Sequence, residues 1–96
     1  MSQIIWSQTA TKDLNRHYKF INFSNPSTAA LAIHAILSSV KDLEENPRRG
    51  AIVEEIAGLR KLIVSFGKYS YIIHYVILED DVIILCVYHG REYQPR

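Results

Sequence analysis

Four histidines, one cysteine and the cations and tyrosines of the last third of the chain are the residues whose types could do chemistry. His17, His34, His74 and His89 invite a metal, yet no two of them stand at helical ligand spacing and Cys86 has no second thiol beside it. No metal and no cofactor are expected. His74 and Cys86 could meet across a hairpin as base and nucleophile. A packed strand pair accounts for the same two residues without chemistry, and Cys86, set among apolar neighbours, reads as a core thiol.

Cations and tyrosines offer a further kind of work. His89-Gly90-Arg91, with Tyr69 and Tyr71 beside it, fits a protein contact, because rigid aromatics and arginine dominate interfaces. The same tripeptide could equally end a strand, Gly90 allowing the turn and Arg91 pairing with Glu92 or the C-terminus.

Positioning these residues falls to three strands. Residues 59–66, 69–78 and 82–89 are rich in β-branched and aromatic types, and Gly67-Lys68 and Glu79-Asp80-Asp81 separate them with turn compositions at hairpin length. They form an antiparallel meander. With Gly67-Lys68 as a two-residue loop, Phe66 pairs with Tyr69, Arg60 with Tyr75, Lys61 with His74, and Ile63 with Ile72. With Glu79–Asp81 as a three-residue loop, Leu78 pairs with Val82, Tyr71 faces His89, and Tyr69 faces Arg91. Alternation then puts Leu62, Val64, Phe66, Tyr71, Ile73, Tyr75, Leu85 and Val87 on a core face. Lys61, Ile63, Ser65, Ser70, Ile72, His74, Ile84, Cys86 and Tyr88 take the other. Arg60 and Arg91 pair at opposite ends of the sheet, roughly 20 Å apart, and should not share a small site.

Ahead of the meander, Ile4 to Trp6 is a short strand candidate. Ser7 or Thr9 can cap a helix to about Phe23, with Ala10, Leu14, Tyr18 and Ile21 on one face and Lys12, Arg16 and Lys19 on a solvated one. Asn25-Pro26 starts a second helix, Asn as the cap and Pro at the first helical position. Ala29, Ile33, Ile36, Val40 and Leu43 follow at helical spacing, and the helix must end before Pro47. Asn46 to Gly50 is a turn, and 51–57 is a loop or a short turn of helix. The expected fold is α+β: a strand, an antiparallel helical hairpin, then a three-stranded antiparallel meander on which the hairpin packs.

With 96 residues, one domain spanning 1–96 is expected, burying about 60–65% of the surface its unfolded chain exposes. A hydrophobic share of 48% against 22% charged residues is a globular balance. The apolar runs are too short to cross a bilayer and no signal-peptide layout opens the chain, so a cytoplasmic protein is expected. A net charge of +1 weighs against nucleic acid as the main ligand, since such affinity grows with the phosphates neutralised.

The order "Gly-Leu-Arg-x-Leu" (Gly58 to Leu62), "Tyr-x-Ile-x-Tyr" (Tyr71 to Tyr75), a Val and Ile strand, then "His-Gly-Arg" (His89 to Arg91) resembles the RelE/ParE superfamily of toxins, also called plasmid stabilisation proteins. The likeness covers nearly the whole chain and is nearer the ParE branch. It implies the poison half of a type II toxin–antitoxin module, binding DNA gyrase so that cleaved DNA accumulates, and no enzyme itself. It also implies a ParD- or RelB-like antitoxin, partly disordered when free, laying a helix or strand on the helical hairpin or the sheet edge in a hetero-oligomer. The RelE branch instead cuts messenger RNA on the ribosome, a metal-free cleavage that needs cations to hold the scissile phosphate and an acid and a base to move protons at the 2′-hydroxyl and the leaving oxygen; likeness to that branch would give the task to Lys61, His74, Arg91 and Tyr93. Where that branch carries strand cations this chain has Ile63 and Ile72, cross-strand partners, so the spot that would grip a phosphate is apolar. Arg91 matches the arginine after the last strand, but the chain stops at Arg96, before the position of the nucleases' late tyrosine, leaving Tyr93 as its substitute. An inactive relative that only binds antitoxin is the third reading.

Overall fold

Ser7 starts the first helix and anchors it to the sheet. Its hydroxyl accepts from the Ala10 amide at 3.0 Å, the cap that sets α1 over Gln8–Ser24, and donates to the Leu85 carbonyl at 3.0 Å. Asn25 then serves two helices: its amide donates to Ile21 O at 2.8 Å, and its side chain accepts from Thr28 N at 3.1 Å to begin α2, Pro26–Lys41. A turn of 3-10 helix, Asp42–Glu44, follows. The computed structural model describes residues 2–91.

The buried stripe of α1 departs from expectation at one place. Tyr18 is 40% exposed and His17 is buried at 4%. Steps of four drift around a helix by about 40° each, whereas Ala10, Leu14, His17 and Ile21 stay on one face. The imidazole is tolerated there because its Nε2 lies 2.9 Å from the Val87 carbonyl, which can only accept, so Nε2 carries the hydrogen. On α2 the same shift puts Ala32 in the core beside Ala29, Ile36 and Val40, while Ile33 is only partly buried.

Five strands form the sheet: β1 Gln3–Trp6, β2 Ala51–Ile52, β3 Leu59–Phe66, β4 Tyr69–Leu78 and β5 Asp81–His89, in the order β1-β5-β4-β3-β2. The meander is the expected one, but it is flanked on both sides. β1 runs parallel to β5, and part of the segment expected as loop or helix forms β2 against β3. β3 and β4 pair in the expected register from Leu59 with Val76 to Phe66 with Tyr69, the Gly67 turn having a φ of 56°.

The β4–β5 turn is one residue tighter than expected. Leu78 pairs with Asp81, not Val82, around Glu79 with a φ of 55°. Tyr75 therefore faces Ile84 where Leu85 was expected, and a bulge at Leu85 then restores the expected pairs: His74 faces Cys86, and Tyr71 faces His89. In consequence Ile84, not Leu85, is in the core, fully buried with Val82 and Val87. Beyond β1 the outer edge of β5 is closed by α1, since Asp13 Oδ2 accepts from Val87 N at 3.0 Å and His17 takes the Val87 carbonyl. The helices cover one sheet face only.

Tyr75 is fully buried, and its phenol fastens the loop after α2. It donates to Pro47 O and accepts from Gly50 N, both at 2.8 Å, and burial pushes its pKa up. Arg60 holds the same loop, donating to Gly50 O at 2.8 Å and Arg48 O at 3.1 Å. Tyr75→Phe strands the buried Gly50 amide and the part-buried Pro47 carbonyl, an expected loss of about 1–3 kcal/mol. Thermal unfolding should register it as a drop of roughly 5–15 °C, and an unchanged midpoint would refute the clasp.

Candidate functional site

At the Tyr69 end of the sheet, where α1 passes over β4 and β5, a cavity of about 600 Å³ opens. Tyr69, Tyr71, His89 and Arg91 all border it, so the tripeptide and the two tyrosines singled out in the sequence converge, but Tyr71, expected as a contact residue, is only 1% exposed and serves the core behind the other three. α1 adds Arg16, His17 and Phe20, and the β3–β4 turn adds Lys68. The rings pack edge to face: His17 on Tyr71 at 5.3 Å, His89 on Tyr71 at 5.4 Å, and His89 on Tyr69 at 5.9 Å. The Lys68 ammonium lies 5.7 Å from the centre of the Tyr69 ring, within cation–π range.

His89-Gly90-Arg91 is locally over-determined. The Arg91 amide donates to His89 Nδ1 at 3.0 Å, and the Gly90 amide donates to Ser70 O at 2.6 Å, carrying the ladder past the last strand pair. Gly90 is needed here for closeness, not for a left-handed φ: a Cβ would stand 3.2 Å from Ser70 O and 3.4 Å from Ser70 Cβ. Arg91 is thus aimed by a fixed turn while its side chain remains exposed. Glu92 and Tyr93, the suggested partner of Arg91 and the suggested catalytic tyrosine, lie outside the described residues.

The set suggested for RNA cleavage does not gather. Lys61 and His74 are cross-strand partners on the uncovered face, whereas Arg91 shares the cavity with Tyr69 and Tyr71 beside α1. Between Lys61 and the sheet end, Ile63 is 58% exposed opposite Ile72, so this stretch of the uncovered face is apolar. Arg60 faces Tyr75 and spends its guanidinium on the loop carbonyls of Arg48 and Gly50.

His74 and Cys86 do pair across β4 and β5, but the electrostatics are wrong for a dyad. Burial, then the Lys61 charge, lowers the His74 pKa, and burial raises that of the Cys86 thiol, so both groups are held neutral. Cys86→Ser is expected to leave biological activity unchanged, and the folded thiol to resist iodoacetamide at pH 7. Rapid alkylation, or lost activity in a folded variant, would contradict this. His74 also sets a pH dependence. Its folded pKa lies below the ordinary 6.5, so on acidification the unfolded chain takes the proton first. Its contribution is complete above 6.5 and is lost as the pH falls through the folded value. Denaturant midpoints between pH 7.5 and 5 should therefore fall less in His74→Gln than in the parent. Among the described residues no group of three or more His, Cys, Asp or Glu is placed to hold a metal, and no helix is long and apolar enough to cross a membrane.

A model of the ParE toxin of the type II toxin–antitoxin system parDE matches residues 4–93. The chain belongs to the ParE toxin family. Two relatives from Caulobacter vibrioides carry the name of the neighbouring branch. Toxin RelE3 is 29% identical over 92 residues, spanning 96% of this chain and 98% of that protein; Toxin RelE1 is 28% identical over 89, spanning 93% and 94%. A solved structure, the chromosomal ParDE system from P. aeruginosa, superimposes with a TM-score of 0.77 at 24% identity, covering 93% of this chain and 96% of that one. At that identity the superposition speaks for the fold. The toxin is one half of a type II pair, so its partner is an antitoxin.

Sequence reasoning placed Arg16 on a solvated face and did not single out Phe20 or Lys68. A ParE toxin with Phe20 73% exposed and Phe23 94% exposed on one helix carries a surface that its own core does not explain. Two aromatics interleaved with Arg16 and Lys19 were the available signal.

Proposed function

We propose that this toxin arrests growth in the cytoplasm by binding DNA gyrase and stabilising cleaved DNA, and that its antitoxin reverses the effect. The convergence of Tyr69, His89 and Arg91 on one open cavity carries the reading, because it joins rigid aromatic area to an aimed arginine. The exposed Ile63 opposite Ile72 supports it from the other side: the surface lacks the cations that a nuclease needs there. The toxin is then a binding protein with no catalytic residue.

The antitoxin has two docking places of the right kind. Phe23, Leu31 and Leu37 are exposed on the helical hairpin, and β3 beyond its short pairing with β2 offers an open strand edge. One specific observation favours a second reading. Two relatives are named RelE, so ribosome-dependent message cleavage by Lys61, His74, Arg91 and Tyr93 is the competitor. Induced expression in a sensitive bacterium separates the readings. A DNA-damage response with intact message supports gyrase; rapid message cleavage without that response supports the nuclease; harmless expression indicates a relative that binds only antitoxin.

A further inference from the structure

The cavity beside α1 has a chemistry that a protein contact alone does not require. Its described lining includes Arg16, Lys68 and Arg91 and no carboxylate, although the whole chain carries a net charge of only +1. Cations are concentrated here against that neutral background. The accessible walls between them are aromatic, built by Phe20 and Tyr69, with the buried Tyr71 packed beneath. At about 600 Å³ the space lies in the usual range for small-ligand sites, roughly 300–1,000 Å³.

Cationic donors on three separate elements with aromatic surface between them match a ligand that is anionic at one end and flat at the other. We infer that this cavity binds one nucleotide, its phosphate held by Arg91, Lys68 and Arg16 and its base laid on Tyr69 and Phe20. Arg91 suits the phosphate because its backbone is fixed through His89 Nδ1 while its guanidinium is exposed. The Arg16 guanidinium, itself half exposed, also has a long contact of 3.6 Å to the mostly buried Asp13, which leaves its other faces to a phosphate. The low net charge fits as well. A single-nucleotide site engages few phosphates, so a log–log salt slope of about −2 is expected, far from the steep dependence of extended nucleic-acid binding.

The same chemistry is offered by a free nucleotide and by one residue of a single strand. Titrating the full chain, followed by amide NMR shifts, with ATP, dAMP, a four-residue oligo-dT and inorganic pyrophosphate distinguishes them. A ring-bearing probe is expected to saturate with shifts at Arg16, Phe20, Lys68, Tyr69, His89 and Arg91, at least about tenfold tighter than pyrophosphate. ATP ahead of oligo-dT would identify the free nucleotide as the ligand, and the reverse order the strand. Arg91→Gln, Lys68→Gln and Phe20→Ala should each weaken binding by about tenfold. All three side chains are exposed or half-exposed, so folded variants are expected and the spectra check it. No saturable binding, pyrophosphate binding as tightly as the ring-bearing probes, or affinity untouched by Arg91→Gln would overturn the inference. Because the titration contains no gyrase, its failure and that of the gyrase reading are separate results.

Discussion

Arg91→Ala is expected to raise the amount of toxin needed to stabilise gyrase-cleaved DNA by at least roughly thirtyfold, the scale of an interface hot spot worth about 2 kcal/mol. The physical reason is the turn that aims it. His89 Nδ1 accepts from the Arg91 amide and Ser70 O accepts from the Gly90 amide, so the side chain reaches the cavity mouth from a fixed backbone. Both bonds are made by main-chain groups that alanine retains. The variant should therefore fold as the parent does, and a dose–response of growth arrest, read beside an unchanged melting curve, checks the prediction. Equal potency of parent and variant would remove Arg91 from the contact. Arg60→Ala is the useful comparison, because Arg60 is the loop's clasp: that change should lower stability and leave the target contact alone.

Gly50→Ala is expected to be the most damaging conservative change in the chain. A Cβ there would stand 2.6 Å from both Cε1 and the hydroxyl of Tyr75, and 2.8 Å from the Lys61 carbonyl. The ring cannot retreat, since Tyr75 is fully buried, and the carbonyl belongs to β3. Moving the loop away instead breaks the Tyr75 bonds to Pro47 and Gly50 and the Arg60 bond to Gly50. Overpacking of this kind costs about 3 kcal/mol, a fall in melting temperature of roughly 10–20 °C. Calorimetry on the purified variant decides it. A midpoint within a few degrees of the parent would mean that the loop has another seat.

The parts of the fold that were legible in the sequence are those whose cause is local. Asn25-Pro26 specified the start of α2 through one side-chain oxygen and one missing amide, and Gly67-Lys68 specified the β3–β4 register because a two-residue loop admits one pairing. What stayed hidden depends on distant partners. Nothing around Ile4 announces a parallel neighbour 78 positions away, and no Gly or Pro marks the bulge at Leu85, which Ser7 holds from the other end of the chain. His17 drew notice in the sequence only as a possible metal ligand, and its place in the core follows from β5 supplying Val87 O.

The candidate site divides along the same line. Tyr69, Tyr71, His89 and Arg91 sit on neighbouring strands, so turn lengths alone brought them together. The tighter β4–β5 turn and the bulge offset each other, which kept Tyr71 opposite His89 as expected. Arg16 and Phe20 join them only because α1 docks across that end of the sheet, a tertiary event that helical periodicity does not report.

The most direct test mixes the purified toxin with DNA gyrase and supercoiled plasmid, then traps any cleavage complex with detergent and protease. The expected result is linear DNA that accumulates with toxin dose, is prevented by antitoxin, and is reduced at least thirtyfold in potency by Arg91→Ala. Unaltered supercoiling with no linear product, beside cleavage of ribosome-bound message that Arg91→Ala abolishes, would contradict it and transfer the toxin to the nuclease reading.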